Sequence, residues 1–308
     1  MSNSPHSSSG IYTGRNLGRG SFCIVKEIFQ SCSHAEPTYL ALKQPRSDLN
    51  KDLQEQARLD LRNELNILSD LKHKHIIQLC PSDIVCNYPE YLVMEKLHDT
   101  LKGKIKSWTT QKRNAMKLHQ RLRGSRSILS NLWIDRLSVI HDIACAMKYL
   151  HSMNIILRDL KPDNCGFDAD GNVKLFDFGL AVDCTKAEKV GIDQYLLEGG
   201  VGTPRYMSPE VANDSVYGKP CDVYSFALVA WEVIALEKPY ATLTWDEVHS
   251  RVYNQHHRPN VNKKWPALLQ CLFHRSWYNN PRYRPQFSEI QSILADVLVG
   301  YTSASKHN

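Results

Sequence analysis

Apolar positions in the first hundred residues fall into short runs broken by polar ones, and then the period changes. The stretch 11–38 reads as β-type runs interrupted by glycines, with a further strand at 39–43. Between 50 and 71, Ala57, Leu61, Glu64, Leu68 and Leu71 recur at spacings of four, three, four and three, which predicts a helix with a glutamate set in its apolar stripe. Strands are expected again at 76–79 and 91–95. Further on, Leu137, Ile140, Ala144, Met147 and Leu150 mark an amphipathic helix, and 157–178 reads as a loop and hairpin. The segment 222–236 is apolar nearly all round, which predicts a helix at the centre of a lobe. The chain therefore reads as α+β: a β-rich first part with one long helix, then a larger, mainly helical part, joined near 95–101.

Composition narrows the class. The 308 residues suffice for one large domain or two lobes, and 42% hydrophobic with 23% charged residues exclude a disordered, collagen-like or membrane-spanning chain. The longest apolar run, 226–236, is interrupted by Glu232 and is shorter than the ~18 residues of a spanning helix, so no membrane span is expected. Residues 1–10 are rich in Ser and predict a disordered tail, with no charged or apolar region of a cleaved signal. Nine cysteines without a C-x-x-C pair read as reduced thiols, and a cytoplasmic location is expected, with the nucleus as the alternative. The net charge of +6 is local. Between 102 and 126 stand nine Lys/Arg and no Asp/Glu, and the remainder of the chain is at −3. Such a run is first a solvated face; its apolar members Trp108, Met116, Leu118 and Leu122 allow a second reading, docking to an acidic partner, nucleic acid or anionic lipid.

Three clusters carry candidate chemistry. In Leu17-Gly18-Arg19-Gly20-Ser21-Phe22-Cys23-Ile24-Val25 the glycines let backbone approach a phosphate, and the β-like residues that follow favour a strand-loop-strand flap over the loop-helix of a dinucleotide site. Lys43 ends an apolar strand, and Glu64 lies on an apolar helix face where an unpaired carboxylate is expensive to bury, so the two are expected to pair. Third, Arg158-Asp159-Leu160-Lys161-Pro162-Asp163-Asn164 is followed by Asp177-Phe178-Gly179. A two-residue turn at Asp170-Gly171 would set Asn164 opposite Asp177 with Cβ atoms ~4.5–5.5 Å apart. An amide oxygen and a carboxylate at that range suit a hard cation such as magnesium.

Taken in order, these motifs resemble those of eukaryotic protein kinases over about 12–298. The resemblance implies a two-lobed protein-kinase fold: an N-lobe and hinge at 11–97, a C-lobe at 98–300 with a basic insertion at about 102–128, and a tail at 301–308. It implies ATP and Mg2+ as cofactors and a protein substrate. Gly18 and Gly20 would cover the phosphates, with Leu17, Val25, Ala41 and Gly166 around the nucleotide and the hinge residues Met94, Glu95 and Leu97 at the adenine. Lys43 would hold the α- and β-phosphates and pair with Glu64. Asp159 would accept or orient the hydroxyl proton, Lys161 would neutralise the γ-phosphate, and Asn164 with Asp177 would hold magnesium. Gly202-Thr203-Pro204-Arg205-Tyr206-Met207-Ser208-Pro209-Glu210 is similar to the end of an activation segment, Asp222 to the anchor of the catalytic loop, and Arg284 to the partner of Glu210. Lys161-Pro162 and Thr203 resemble serine/threonine kinases, and the run 284–290 resembles the tyrosine-kinase-like group. Oligomeric state is left unassigned.

The chain departs from that pattern at named places. Leu157 stands where most members carry histidine, keeping apolar packing against Phe178 and losing a hydrogen bond. Gly166 replaces a large apolar residue under the adenine, which predicts a roomier floor. Cys23 takes the place of a third glycine, as a small packed residue. Arg158 implies activation by an anion, which Glu198, or a phosphate on Tyr195, would supply; the alternative for Glu198 is a solvated loop glutamate. Two rival readings stand beside a serine/threonine kinase: a pseudokinase acting as a binding module, and a small-molecule kinase on a related fold.

Overall fold

The computed structural model describes residues 11–32, 35–80, 90–119, 126–213 and 216–305; the expected tail at 1–10 and Leu122 of the basic stretch lie outside them. Strands β1 (Ile11–Arg19), β2 (Cys23–Cys32) and β3 (Ala35–Pro45) form an antiparallel sheet completed by β4 (Leu92–Glu95), in the order β1-β2-β3-β4. Helix α1 (Lys51–Ser69) follows β3, its first turn capped by Asn50, whose side-chain oxygen accepts the Leu53 N–H at 2.9 Å. The stripe read from the sequence is the buried one: Ala57, Leu61, Glu64, Leu68 and Leu71 all face the core.

The strand expected at 76–79 does not form. Its backbone is divided between two partners: Ile77 donates to the Leu175 carbonyl at 2.9 Å, while the Gln78 carbonyl accepts from Glu95 at 3.0 Å. With bonds running to opposite sides at successive residues, only isolated bridges at Ile76 and Leu79 remain. The segment works as a seam between the sheet and the helical lobe.

Past the connector come β5 (Asp99–Thr100), α2 (Leu101–His119), α3 (Arg126–Ser152), β6 (Ile155–Ile156), β7 (Cys165–Phe167) and β8 (Val173–Leu175). Then β9 (Val182–Asp183), β10 (Lys189–Gly191), β11 (Gln194–Leu196), α4 (Pro209–Asn213) and β12 (Val216–Tyr217) lead into α5 (Pro220–Ala235). The rest is α6 (Trp245–Glu247), continued by a π-helical turn at Val248–Asn254, then α7 (Ala267–Ser276) and α8 (Phe287–Ser305). Every residue of α5 from Cys221 to Ile234 is buried, as its all-round apolar pattern predicts, and α3 buries Leu137, Ile140, Ala144, Met147 and Leu150. No helix among the described residues is long and apolar enough to cross a membrane.

Three expectations are corrected here. The basic stretch is not a solvated face throughout: α2 turns Leu101, Ile105, Trp108 and Ala115 into the core, because they recur at helical spacing between the cations. Trp108 is 1% exposed and Met116 54%, so only the latter remains on the surface. The lobe does not end at 300; α8 runs to Ser305, with Leu298 and Tyr301 packed on the core and the Tyr301 ring 5.8 Å from that of Trp133. The β7–β8 hairpin is one residue out of the expected register. Phe167 pairs with Val173 and Cys165 with Leu175, around a three-residue loop closed by the Asp168 side chain on the Asn172 N–H at 2.8 Å. Gly171 takes the left-handed conformation (φ +80°) that such a loop needs at its last position. Asn164 therefore lies opposite Phe176, whose N–H it receives at 3.0 Å, and Asp177 falls one residue beyond the pair.

Candidate active site

Strand β3 and helix α1 bring the first pair together. Lys43 Nζ lies 2.6 Å from Glu64 Oε2 and 2.6 Å from Asp177 Oδ1, so one ammonium joins sheet, helix and the segment after β8. The other oxygen of Glu64 accepts the Phe178 N–H at 3.2 Å. Burial pushes the Lys43 ammonium down, and the two carboxylates outweigh it and hold it above its ordinary value. Asp177 is pushed up by burial and more strongly down by Lys43, for a net lowering; Glu64, fully enclosed, is raised by its burial.

Two residues outside the expected set complete this join. Asn63 donates its side-chain amide to the carbonyls of Gly179 and Ala181, both at 2.8 Å, and so clamps the segment after Asp177 onto α1. Its only signal in the sequence is its place beside Glu64. Phe176 packs against the core beside Leu97, and its ring lies next to Gly166.

The loop 157–164 is held from below by α5. Asp222, buried, accepts the N–H groups of Leu157 at 2.8 Å and Arg158 at 2.9 Å and contacts His151 Nε2 at 3.0 Å. Leu157 sits in the same apolar cluster as Phe178. Above this anchor Asp159 collects three donors: Thr203 N–H at 2.9 Å, Lys161 Nζ at 2.6 Å and Asn164 Nδ2 at 3.1 Å. Lys161 also reaches the Thr203 hydroxyl at 2.9 Å. Gly202 makes that approach feasible: it has φ +106°, and a Cβ there would stand 2.6 Å from the Arg158 carbonyl. Beyond it the segment is fixed to the lobe by Tyr253 on the Pro204 carbonyl at 2.5 Å and by the paired bonds of Arg284 with Glu210, 2.5 and 2.9 Å.

Around the cleft, Leu17, Cys23 and Val25 from β1 and β2, Ala41 from β3, Met94 from β4 and Leu97 all pack on the main core. Gly18, exposed near the end of β1, pairs with Val25 of β2, and Gly20 lies in the exposed turn between them, where its N–H donates to the Cys23 carbonyl at 2.8 Å, the strand-loop-strand flap expected. Burial pushes the Cys23 thiol up to about 11, so it stays protonated near neutral pH. Glu95 turns away from this surface to accept from Lys174 Nζ at 2.8 Å.

Two expectations fail at this site. The floor at Gly166 is not roomier. A Cβ there would meet Leu97 Cδ1 at 2.6 Å and the Asp99 carbonyl at 3.1 Å, so Leu97 already fills the space a larger residue would take. The Glu198 carboxylate does not serve Arg158 either. Arg158 donates to the Leu180 carbonyl at 2.5 Å and to the Tyr217 hydroxyl at 3.2 Å, and Tyr217 in turn donates to the backbone carbonyl of Glu198 at 2.7 Å. Tyr195 is 8% exposed, paired with Tyr217 in the β10-β11-β12 sheet, which closes it to a modifying enzyme unless that sheet opens.

The donor set suits a hard divalent cation. Asn164 commits its amide nitrogen to Asp159, and Asp177 commits one oxygen to Lys43. Among the described residues, Asn164 Oδ1 and Asp177 Oδ2 accept no hydrogen bond, which leaves an amide and a carboxylate oxygen of the kind magnesium takes.

Comparison with known proteins agrees with this arrangement. A family model described as protein tyrosine and serine/threonine kinase matches residues 11–294. A probable serine/threonine-protein kinase of Dictyostelium discoideum is 30% identical over 94% of this chain and 28% of its own length. The serine/threonine/tyrosine-protein kinase HT1 of Arabidopsis thaliana is 30% identical over 83% of this chain and 59% of its own length. The insulin-like growth factor 1 receptor of Bos taurus is 30% identical over 93% of this chain and 42% of its own length. The chain thus spans less than two thirds of each of these relatives. With the lysine, glutamate and two aspartates assembled across two lobes and the family model covering nearly all of it, the chain belongs to the protein tyrosine and serine/threonine kinase family.

Proposed function

We propose that this protein kinase transfers the γ-phosphoryl group of ATP to serine or threonine hydroxyls of protein substrates, with magnesium, in the cytoplasm. The observation that carries the reading is Lys161, held between the Asp159 carboxylate at 2.6 Å and the Thr203 hydroxyl at 2.9 Å. In this reading Asp159 orients the acceptor hydroxyl and takes up its proton, and the positive charge of Lys161 offsets that gathering on the transferred group. Lys43, kept protonated by two carboxylates, holds the α- and β-phosphates. Asn164 and Asp177 would hold magnesium, whose charge offsets that of the phosphates when it is bound. Gly18 and Gly20 cover the phosphates, and Leu17, Val25, Ala41 and Leu97 enclose the base beside Met94. Thr203, bonded to Lys161, supports serine and threonine as acceptors.

The test is transfer of radiolabelled phosphate from ATP by the purified chain to a library of serine, threonine and tyrosine peptides, with Asp159→Asn and Asp177→Ala as blanks. Label on serine and threonine peptides, at least ~100-fold above both blanks, is expected. Label on tyrosine alone would overturn the acceptor class. Nucleotide binding with no transfer above the blanks would make the chain a pseudokinase.

A further inference from the structure

The helical lobe contains a cavity of about 990 Å³ that shares no residue with the site described above. It lies between the start of α3, the end of α5, the loop before α7 and the end of α8. Three indoles, Trp133, Trp231 and Trp265, and the ring of Tyr301 supply its apolar wall. Its charge is one-sided: Lys112, Arg136, Lys263 and Lys264 line it, against the single acid Glu237. Lys112 comes from the basic stretch that the proposed catalytic reading leaves without a role.

Arg136 is the centre of this arrangement. It is 5% exposed, and among the described residues no carboxylate lies within ion-pair distance of it. Its Nε donates to the Leu132 carbonyl at 2.9 Å and its Nη1 to the Ile234 carbonyl at 2.7 Å, while its guanidinium lies 5.1 Å from the Trp133 ring. The first bond stays within α3, and the second closes the C-terminal end of α5, whose partial negative charge balances about half of one cation. Nη2 donates to no protein acceptor among the described residues. Burial pushes the guanidinium down to about 10, and burial together with the charge of Arg136 pushes Lys112 down as well. Asp135 and Glu237 offset part of this charge from a distance, but a buried cation without an ion-pair contact is still expensive, and three more cations around the same space add repulsion. An anion entering the cavity relieves both at once, and a guanidinium with ammonium groups is the set that binds phosphoryl oxygens.

We propose that this cavity binds an organic phosphate of small-molecule size, its phosphoryl oxygens held by Arg136, Lys112, Lys263 and Lys264 and its flat apolar part laid on the tryptophan wall. The volume falls in the ~300–1,000 Å³ range of small-molecule sites, more room than a bare phosphate ion fills, and indole faces are the preferred surface for a flat ring. The site is separate from nucleotide binding in the cleft and does not depend on it.

The three wall tryptophans report occupancy. The full chain is titrated with naphthyl phosphate by tryptophan fluorescence and calorimetry, with pyrophosphate and naphthol as probes of each half alone. Saturable binding of naphthyl phosphate about tenfold or more tighter than of either half is expected. Lys263→Ala/Lys264→Ala, at exposed positions that leave the core untouched, is expected to weaken it about tenfold or more, and Lys43→Met to leave it unchanged. Absence of saturation, or undiminished binding in the double lysine variant, overturns the proposal. Loss in Lys43→Met overturns it by assigning the ligand to the cleft. Lysine-dependent sedimentation with phosphatidylcholine vesicles carrying phosphatidylinositol phosphate, without binding of naphthyl phosphate, overturns it in favour of a lipid headgroup.

Discussion

Gly166 shows how a residue can be read correctly in isolation and wrongly in place. A missing side chain implies free space only when no other segment supplies atoms to it, and here Leu97, from the connector, does. Gly166→Ala is therefore expected to destabilise the chain by about 1–3 kcal/mol, seen as a lower melting temperature, and Gly166→Leu to raise the ATP KM. A leucine variant with a lower KM would restore the roomy floor. The Lys43–Glu64 pair was legible for the opposite reason: a carboxylate in an apolar stripe demands a cation, and few lysines end an apolar strand. Asn63 offered no such demand, since a polar residue beside the stripe is ordinary. Asn63→Ala removes two bonds to buried carbonyls and is expected to cost about 1–3 kcal/mol in chemical denaturation. At Arg158 the bridging group is the Tyr217 hydroxyl and not an acid. Tyr217→Phe should lower peptide phosphorylation severalfold while Glu198→Ala leaves it within about twofold; the reverse order would return the activating role to the carboxylate.

At the scale of elements, periodicity located α1, α3 and α5 because each presents its apolar residues to one continuous core. It was blind to α2, where cations at six positions between 102 and 117 mask four buried residues at helical spacing. Trp108→Ala empties a fully enclosed site and is expected to cost about 3–5 kcal/mol, whereas Arg113→Ala/Lys117→Ala on the exposed face should shift stability by no more than about 0.5 kcal/mol. Comparable melting temperatures for the two variants would make the helix a surface appendage after all. The hairpin register was missed by one residue because Asp170-Gly171 also closes a three-residue loop, and Asp168, capping the Asn172 N–H, selects it. In α3, His141 is raised to about 9 from 6.5 by its hydrogen bond to Asp142 at 3.3 Å and then by Cys145 at 3.8 Å. A raised base stabilises the fold fully below 6.5, and that contribution fades as pH rises through about 9. Melting temperature should fall across that window in the native chain and less in His141→Gln; parallel curves would remove the histidine as the cause.

The molecule as a whole depends on how its two lobes meet, and successive connector residues pull in opposite directions. Glu95 is bound to the helical lobe through Lys174, 2.8 Å away and 8% exposed, while Lys96 reaches back to Glu27 of β2 at 2.5 Å. Beside them the seam is sewn by backbone: Leu175 donates to the His75 carbonyl and Ile77 to that of Leu175, both at 2.9 Å. None of this is visible in the sequence, because it joins residues roughly seventy to a hundred positions apart whose local patterns are unremarkable. Lys174→Met keeps the aliphatic stem and removes the charge, leaving Glu95 with the Gln78 N–H at 2.8 Å as its remaining partner. The substitution is expected to cost about 1–3 kcal/mol, less than a fully buried pair, because Glu95 is partly exposed and that N–H is retained. It should also raise the ATP KM, since Met94 to Leu97 lose the anchor that sets their position against the helical lobe. Adding Glu95→Gln removes the orphaned charge, so the double variant should be less destabilised than the sum of the two single ones, with a coupling of about 0.5–3 kcal/mol. Strict additivity in urea titrations, with an unchanged KM, would mean that the backbone seam alone holds the lobes together and that the ion pair is a bystander.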